Sequence, residues 1–203
     1  MRDCVKENGL LSFEGDTMAK KITITQLKKE LKTKTNEELV DIITDLTKAL
    51  PAVKDYMTLK YAPESTQELV DEAKKKVRAE FFPARGYGEG KISVAKKIIS
   101  EFKKISINSE PLIDIMLYYV EVCNEYTEAY GDIDAQFYYS AESMYDKVVQ
   151  LINQNDKLVY QKFADRLVEL ATYACVAWGF RGSLYESFAT IIWLNDEEKT
   201  DMW

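Results

Sequence analysis

The chain reads as an all-α protein of about nine helices, arranged as an irregular bundle or a stacked, solenoid-like array of helical hairpins. Three observations predict this class. Apolar residues recur at three- and four-residue spacing from Thr25 to about Leu194. Capping signals and short turns punctuate that pattern. No stretch sustains the alternation of a strand, and Ile22-Thr23-Ile24-Thr25 is a brief exception.

The elements follow in order. Residues 1–17 carry two glycines and no period, and are expected to form a disordered extension ahead of Met18. A short helix is expected from Gln26 to Lys32. Thr35-Asn36-Glu37-Glu38 is a capping box that opens a helix with Leu39, Ile43, Leu46 and Leu50 on one face. Pro51 suits the first turn of the next helix, which stops near Tyr61, before Pro63. Ser65-Thr66-Gln67-Glu68 reads as a second capping box, with Leu69, Ala73, Val77 and Phe81 directed inward.

Pro83 and the glycines at 86, 88 and 90 end that helix, and Lys91 to Ile105 forms another, with Ile92, Ala95, Ile99, Phe102 and Ile105 inward. Ser109 and Pro111 start a long helix in which Leu112, Ile115, Tyr119, Cys123, Tyr126 and Tyr130 are in register, and Gly131 suits a left-handed residue after its end. Asp134 is placed to cap the next helix, which carries two apolar lines. One runs through Phe137, Ala141, Met144, Val148 and Leu151, the other through Tyr138, Tyr145 and Ile152, as expected of a helix packed between neighbours. After a turn at 153–156, a helix through Val159, Phe163, Leu167, Leu170, Ala174 and Trp178 is expected to close at Gly179. Ser183-x-x-Glu186 suggests a third capping box, ahead of a last helix from Leu184 to Leu194. Residues 18–194 thus read as one helical domain, with 195–203 as a flexible tail.

Composition narrows function mainly by exclusion. With 203 residues the chain is long enough to bury roughly 70% of its unfolded surface. Its 46% hydrophobic and 30% charged residues are those of an ordinary globular protein. The longest nearly apolar run, Ala171 to Phe180, is far short of the ~20 residues of a membrane span. No secretion signal is visible at the N-terminus. Cysteines 4, 123 and 175 are odd in number and widely spaced, which argues for a reducing, cytoplasmic setting without disulfides or a zinc site. Histidine is absent, which removes Ser-His-Asp and Cys-His nucleophile activation and histidine-liganded metals. An enzyme built from this chain would rely on carboxylates, lysine or tyrosine.

The net charge of −7 is unevenly spread. Residues 74–104 carry 10 basic and 3 acidic side chains, whereas residues 105–203 carry 6 and 17. Such asymmetry bears on partners rather than on fold.

Three stretches occur in one order: Phe81-Phe82-Pro83-Ala84-Arg85-Gly86, then Ser93 through Lys104, then Tyr126 through Tyr138. Together they make the chain resemble an uncharacterised bacterial family of helical proteins, domain of unknown function 6155, over about Ile24 to Leu194. The resemblance implies a cytoplasmic bacterial protein and brings no activity and no functional residues with it.

Four features are candidate sites. Gly86 to Ser93 resembles a phosphate-binding loop, but it is one residue short, has Ile92 at the metal-binding hydroxyl position and follows no strand, which argues against a nucleotide-hydrolysing P-loop here. A simpler anion or nucleic-acid surface remains, built from Lys74, Lys75, Lys76, Arg78, Arg85, Lys91, Lys96 and Lys97, against the plainer alternative of a solvated lysine face. Asp132 and Asp134 are candidate metal ligands or an acid–base pair, against roles as a turn residue and a helix cap. Tyr119, Tyr126, Tyr130, Phe137, Tyr138 and Trp178 are candidates for a partner groove in the acidic half, against core packing.

No activity is legible in these residues. The reading they favour is a non-enzymatic helical scaffold or adaptor with a protein partner, no cofactor and no membrane contact. The alternatives are nucleic-acid or phosphate binding through 74–104, and a carboxylate-dependent metal enzyme at Asp132 and Asp134.

Overall fold

The computed structural model describes residues 21–194, so the expected extension at 1–17 and tail at 195–203 lie outside the described residues. The described residues contain nine α-helices and no strand, and Ile22-Thr23-Ile24-Thr25 leads directly into a helix. The chain divides into two compact units between Leu46 and Thr47.

The first unit contains α1 (Ile24–Leu31) and most of α2 (Asn36–Ala49). Helix α1 starts two residues earlier than expected because Thr23 and Gln26 form a capping box. The Thr23 hydroxyl accepts from the Gln26 amide at 3.2 Å, and Gln26 Oε1 accepts from the Thr23 amide at 3.0 Å. The expected box at Thr35 and Glu38 is present, with reciprocal bonds of 2.8 and 3.2 Å. No side chain between 21 and 46 is buried. The apolar stripe of α2 exists, yet Ile43 and Leu46 on it are exposed.

The second unit holds α3 (Pro51–Tyr61), α4 (Thr66–Phe81), α5 (Ile92–Ile105), α6 (Ser109–Tyr130), α7 (Ala135–Asn153), α8 (Lys157–Tyr173) and α9 (Phe180–Phe188). Helix α6 is its axis and packs against α4, α5, α7 and α8. Helix α9 covers α7 and α8. The four partners of α6 are one or two helices away along the chain, and the other substantial helix contacts of this unit are likewise between such neighbours, a pattern that an irregular bundle and a stack of helical hairpins share. Ile113, Ile115, Leu117, Tyr119 and Val120 of α6 are wholly buried. Each such aliphatic side chain contributes about 1.5–3 kcal/mol through removal from water. Both apolar lines of α7 are buried except at the half-buried Leu151, as a helix between α6 and α9 requires.

Three local expectations fail for identifiable reasons. Ser65 makes no side-chain cap, because a 3-10 turn at Pro63–Ser65 leaves it at ψ 2°, outside the extended conformation an N-cap uses. Val70 is the first buried residue of α4, with Leu69 half-buried. Helix α8 ends at Tyr173 instead of running to Trp178. A 3-10 turn at Ala177–Gly179 follows, with Trp178 at φ +53° and Gly179 at φ +74°. Phe180 then opens α9, so Ser183 and Glu186 lie within a helix and cap nothing, and α9 stops at Phe188. Gly131 has the positive φ expected of it, at +85°, but a ψ of −166° takes it outside the left-handed helical region. No helix among the described residues is long and apolar enough to cross a membrane.

Candidate functional site

The glycine stretch is a structural clasp. The amide of Gly90 donates to the carbonyl of Glu80 at 3.1 Å, which folds the loop back onto the last turn of α4. The hydroxyl of Tyr126 on α6 donates to the carbonyl of Gly88 at 3.0 Å. A Cβ on Gly88 would lie 1.6 Å from the carbonyl oxygen of Phe81, so only glycine fits that approach. Phe81 beneath it is fully buried and meets the rings of Tyr119, Tyr126 and Phe137 edge-on, at centroid distances of 5.6–6.2 Å. Arg85 and Tyr87 stay exposed at the tip.

The eight basic candidates do not act alike. Lys74 Nζ lies 2.7 Å from Asp114, a carboxylate also gripped by Arg166 of α8. Arg78 grips Glu125 of α6 with both guanidinium nitrogens, at 2.6 and 2.7 Å. That bidentate bond holds the Glu125 carboxyl below its usual range and raises the Arg78 guanidinium. Lys76 lies 4.0 Å from Glu72, and Lys91 lies 2.9 Å from Glu89. Half of the predicted basic surface is therefore ion-paired, and two of its cations tie α4 to α6. Lys75, Arg85, Lys96 and Lys97 form no ion pair among the described residues.

Lys96 belongs to a different arrangement. It lines a groove of about 390 Å³ between α5, α6 and α7, which the sequence did not reveal. The floor is apolar: Ile99 of α5, Leu112 and Met116 of α6, Met144 and Leu151 of α7. The rim carries Lys96 and Lys103 from α5 and Lys147 from α7, with Ser100, Gln150 and Gln154 between them, and no carboxylate. None of the three lysines has an ion-pair partner among the described residues. The signal was partly present: Lys96, Ser100 and Lys103 are spaced four and three apart, on one face of α5. What sequence could not supply is the neighbour, because Lys147 lies more than forty residues away and reaches the rim only through the pairing of α7 with α6.

The tyrosine set is mostly core. Tyr119 and Tyr138 are fully buried and Phe137 is 3% exposed, so those rings cannot line an open groove. The Tyr119 hydroxyl is satisfied by Ser140 at 3.0 Å. Tyr126 is buried behind the clasp, while Tyr130 and Trp178 are exposed. Burial also pushes the neighbouring Cys123 thiol up to about 12, which leaves it inert as a nucleophile.

Asp132 and Asp134 are committed to structure. Asp132 accepts from the Tyr138 hydroxyl at 2.9 Å and from the Trp178 indole at 3.0 Å, which helps hold Trp178 in its left-handed conformation. Asp134 caps α7 by accepting from the Phe137 amide at 2.8 Å. Among the described residues, no group of three or more metal-binding side chains has the geometry to hold an ion.

No curated protein and no solved structure matches the chain. A model for a family of unknown function, DUF6155, does match, over residues 21–188, which takes in all nine helices, the glycine clasp and the lysine-rimmed groove. The chain belongs to that family.

Proposed function

We propose that this is a non-enzymatic helical interaction protein that docks an acidic amphipathic helix of a partner protein in the groove between α5, α6 and α7. The observation that carries this reading is the pairing of an apolar floor with three lysines that have no ion-pair partners among the described residues, in a lining free of carboxylates. Elsewhere on α4 and α8 the cations that reach a neighbouring helix meet a carboxylate there: Lys74, Arg78, Lys162 and Arg166 all do. Lys96, Lys103 and Lys147 are the exception, and they surround apolar surface.

Helix-in-groove recognition uses that combination. Apolar side chains at i, i+3, i+4 and i+7 fill the floor while charges on the flanks meet the rim. Met116 and Met144 add an adaptable surface, because an unbranched thioether repacks at little cost. From Met144 to Gln154 the groove follows α7 for about 15 Å, the length of roughly ten helical residues at 1.5 Å each. The alternative of a nucleic-acid surface draws less support. No aromatic ring lines the groove to stack a base, and half of the basic candidates are neutralised by carboxylates.

Fluorescence anisotropy provides the test. A labelled peptide of about 14 residues, with leucines at the four helical positions and glutamates on both flanks, should bind saturably and weaken as salt rises. A scrambled peptide of the same composition, and a labelled single-stranded RNA, should not bind. Equal binding of the scrambled peptide, or binding of RNA but not of the peptide, would overturn the proposal.

A further inference from the structure

We infer that a second copy of this chain covers the exposed apolar faces of α1 and α2, with α1 of each copy lying along α2 of the other. The inference is independent of the lysine-rimmed groove and concerns the first unit alone.

That unit holds two amphipathic helices and, among its described residues, no core. Every side chain from residue 21 to residue 30 is exposed, and Leu31 and Leu39 are only half-buried. Ile24 is 68% exposed and Ile43 is 45% exposed. The two helices make no extensive contact with each other. A lone helix of eight residues is marginal in water, and its stability has to come from packing of the apolar face.

Both faces have the spacing of a helix–helix seam. Ile24, Leu27 and Leu31 stand three and four apart, and Leu39, Ile43 and Leu46 stand four and three apart. Each stripe advances about 10 Å at 1.5 Å per residue, so the two match in length. Val40 and Ile42 flank the stripe of α2 and widen it, as suits a helix that meets more than one neighbour.

Charge selects the partner. Residues 24–34 carry Lys28, Lys29, Lys32 and Lys34 against Glu30 alone, whereas residues 36–46 carry Glu37, Glu38, Asp41 and Asp45 and no base. Lys34 meets Glu38 across the turn at 3.1 Å. Lys28, Lys29, Lys32, Glu37 and Asp41 have no ion-pair partner among the described residues. A purely acidic or purely basic partner is attracted by one of these helices and repelled by the other. A second copy, related by a two-fold axis, sets basic α1 against acidic α2 at both contacts. Pairing α1 with α1, or α2 with α2, brings like charges together and is disfavoured. The carboxylates of α2 lie off its apolar stripe, so they set orientation while the seam supplies affinity.

Sedimentation velocity on the full chain, from about 1 to 100 μM, provides the test, because a seam this short gives a weak dimer. The wild type should pass from monomer to dimer across that range. Ile43→Ser should weaken self-association about 10-fold or more. No described side chain of the first unit is buried, so the same change should leave the thermal melt of the protein nearly unaltered.

Two charge variants then decide the pairing. One carries Lys28→Glu, Lys29→Glu and Lys32→Glu, and the other carries Glu37→Lys, Asp41→Lys and Asp45→Lys. Each alone should self-associate about 10-fold more weakly, and an equimolar mixture should recover dimerisation to within about 3-fold of the wild type. Recovery in the mixture cannot arise from a folding defect in either variant. A wild type that stays monomeric throughout would overturn the inference. Dimerisation indifferent to Ile43→Ser or to both charge variants would do the same, by placing the interface elsewhere. A mixture that stays monomeric would overturn the pairing of α1 with α2. A chain that dimerises only after residues 1–20 are removed would assign the stripe to that segment and overturn the inference as well.

Discussion

The hydroxyl of Tyr126 donates to the carbonyl of Gly88 at 3.0 Å, and this bond turns a glycine-rich stretch into part of the core. It joins the loop after α4 to α6 at the place where Phe81, Tyr119, Tyr126 and Phe137 meet.

Gly88→Ala is accordingly a sharp test of the clasp. The added methyl collides with a backbone carbonyl, not with a flexible side chain, so the loop has to lift from α4. A loss of about 1–3 kcal/mol is expected in urea unfolding, with Tyr126→Phe costing about 0.5–1.5 kcal/mol. Gly86→Ala has nothing within 4 Å of its new methyl, and only its φ of +79° to oppose it, so it should cost less than Gly88→Ala.

Phe81→Ala probes the ring cluster directly. The side chain is fully buried, and its removal leaves three rings without their shared neighbour. The expected loss is about 3–5 kcal/mol, read as a drop in the urea midpoint without a change in slope.

The pair of Arg78 and Glu125 predicts a pH dependence. The Glu125 pKa in the folded protein is depressed below its ordinary value, chiefly by the hydrogen bond from Arg78. Its contribution is therefore present above the ordinary carboxylate range and is lost as pH falls through the depressed folded value. Both side chains are 40% or more exposed, so solvent screening limits the pair to about 1 kcal/mol at most. Arg78→Met should remove that contribution at pH 7, and thermal melts should converge with the wild type only once the pH has fallen below the depressed folded value.

Glu142 predicts the opposite sign. Burial raises its carboxyl pKa in the folded protein, and its Oε1 has no hydrogen-bond partner among the described residues. A raised folded-state pKa favours the protein below the ordinary value, and that advantage is lost as pH rises through the shifted one. Glu142→Gln should therefore melt on the order of 1–2 °C higher at pH 7 and at the wild-type temperature near pH 4.

Much of the fold was written in local signals, and their failures have physical causes. Asp134 caps α7 and Thr35 caps α2 as their spacing requires, because a cap needs only its own next three residues. Ser65 and Ser183 carry the same spacing and cap nothing, because a 3-10 turn precedes one and a helix already runs through the other. The all-α class and the two buried lines of α7 follow from periodicity alone. The candidate site was less legible. Spacing placed Lys74 and Arg78 on an outward face, but their carboxylate partners Asp114 and Glu125 lie 40 and 47 residues further along the chain. Tyrosine content marked a possible surface, yet most of those rings are buried where α4, α6 and α7 converge. The groove rim brings together Lys103 and Lys147, which share no local pattern.

A charge exchange across the groove tests the central claim most directly. Lys103 and Lys147, both exposed, are changed to Glu in the full chain, and binding of two amphipathic helical peptides is measured by anisotropy. The peptides share their leucines and differ only in carrying glutamates or lysines on the flanks. The account predicts that the wild type binds the acidic peptide and the double variant prefers the basic one, each weakening with salt. Binding of the acidic peptide with equal affinity to wild type and variant would contradict it.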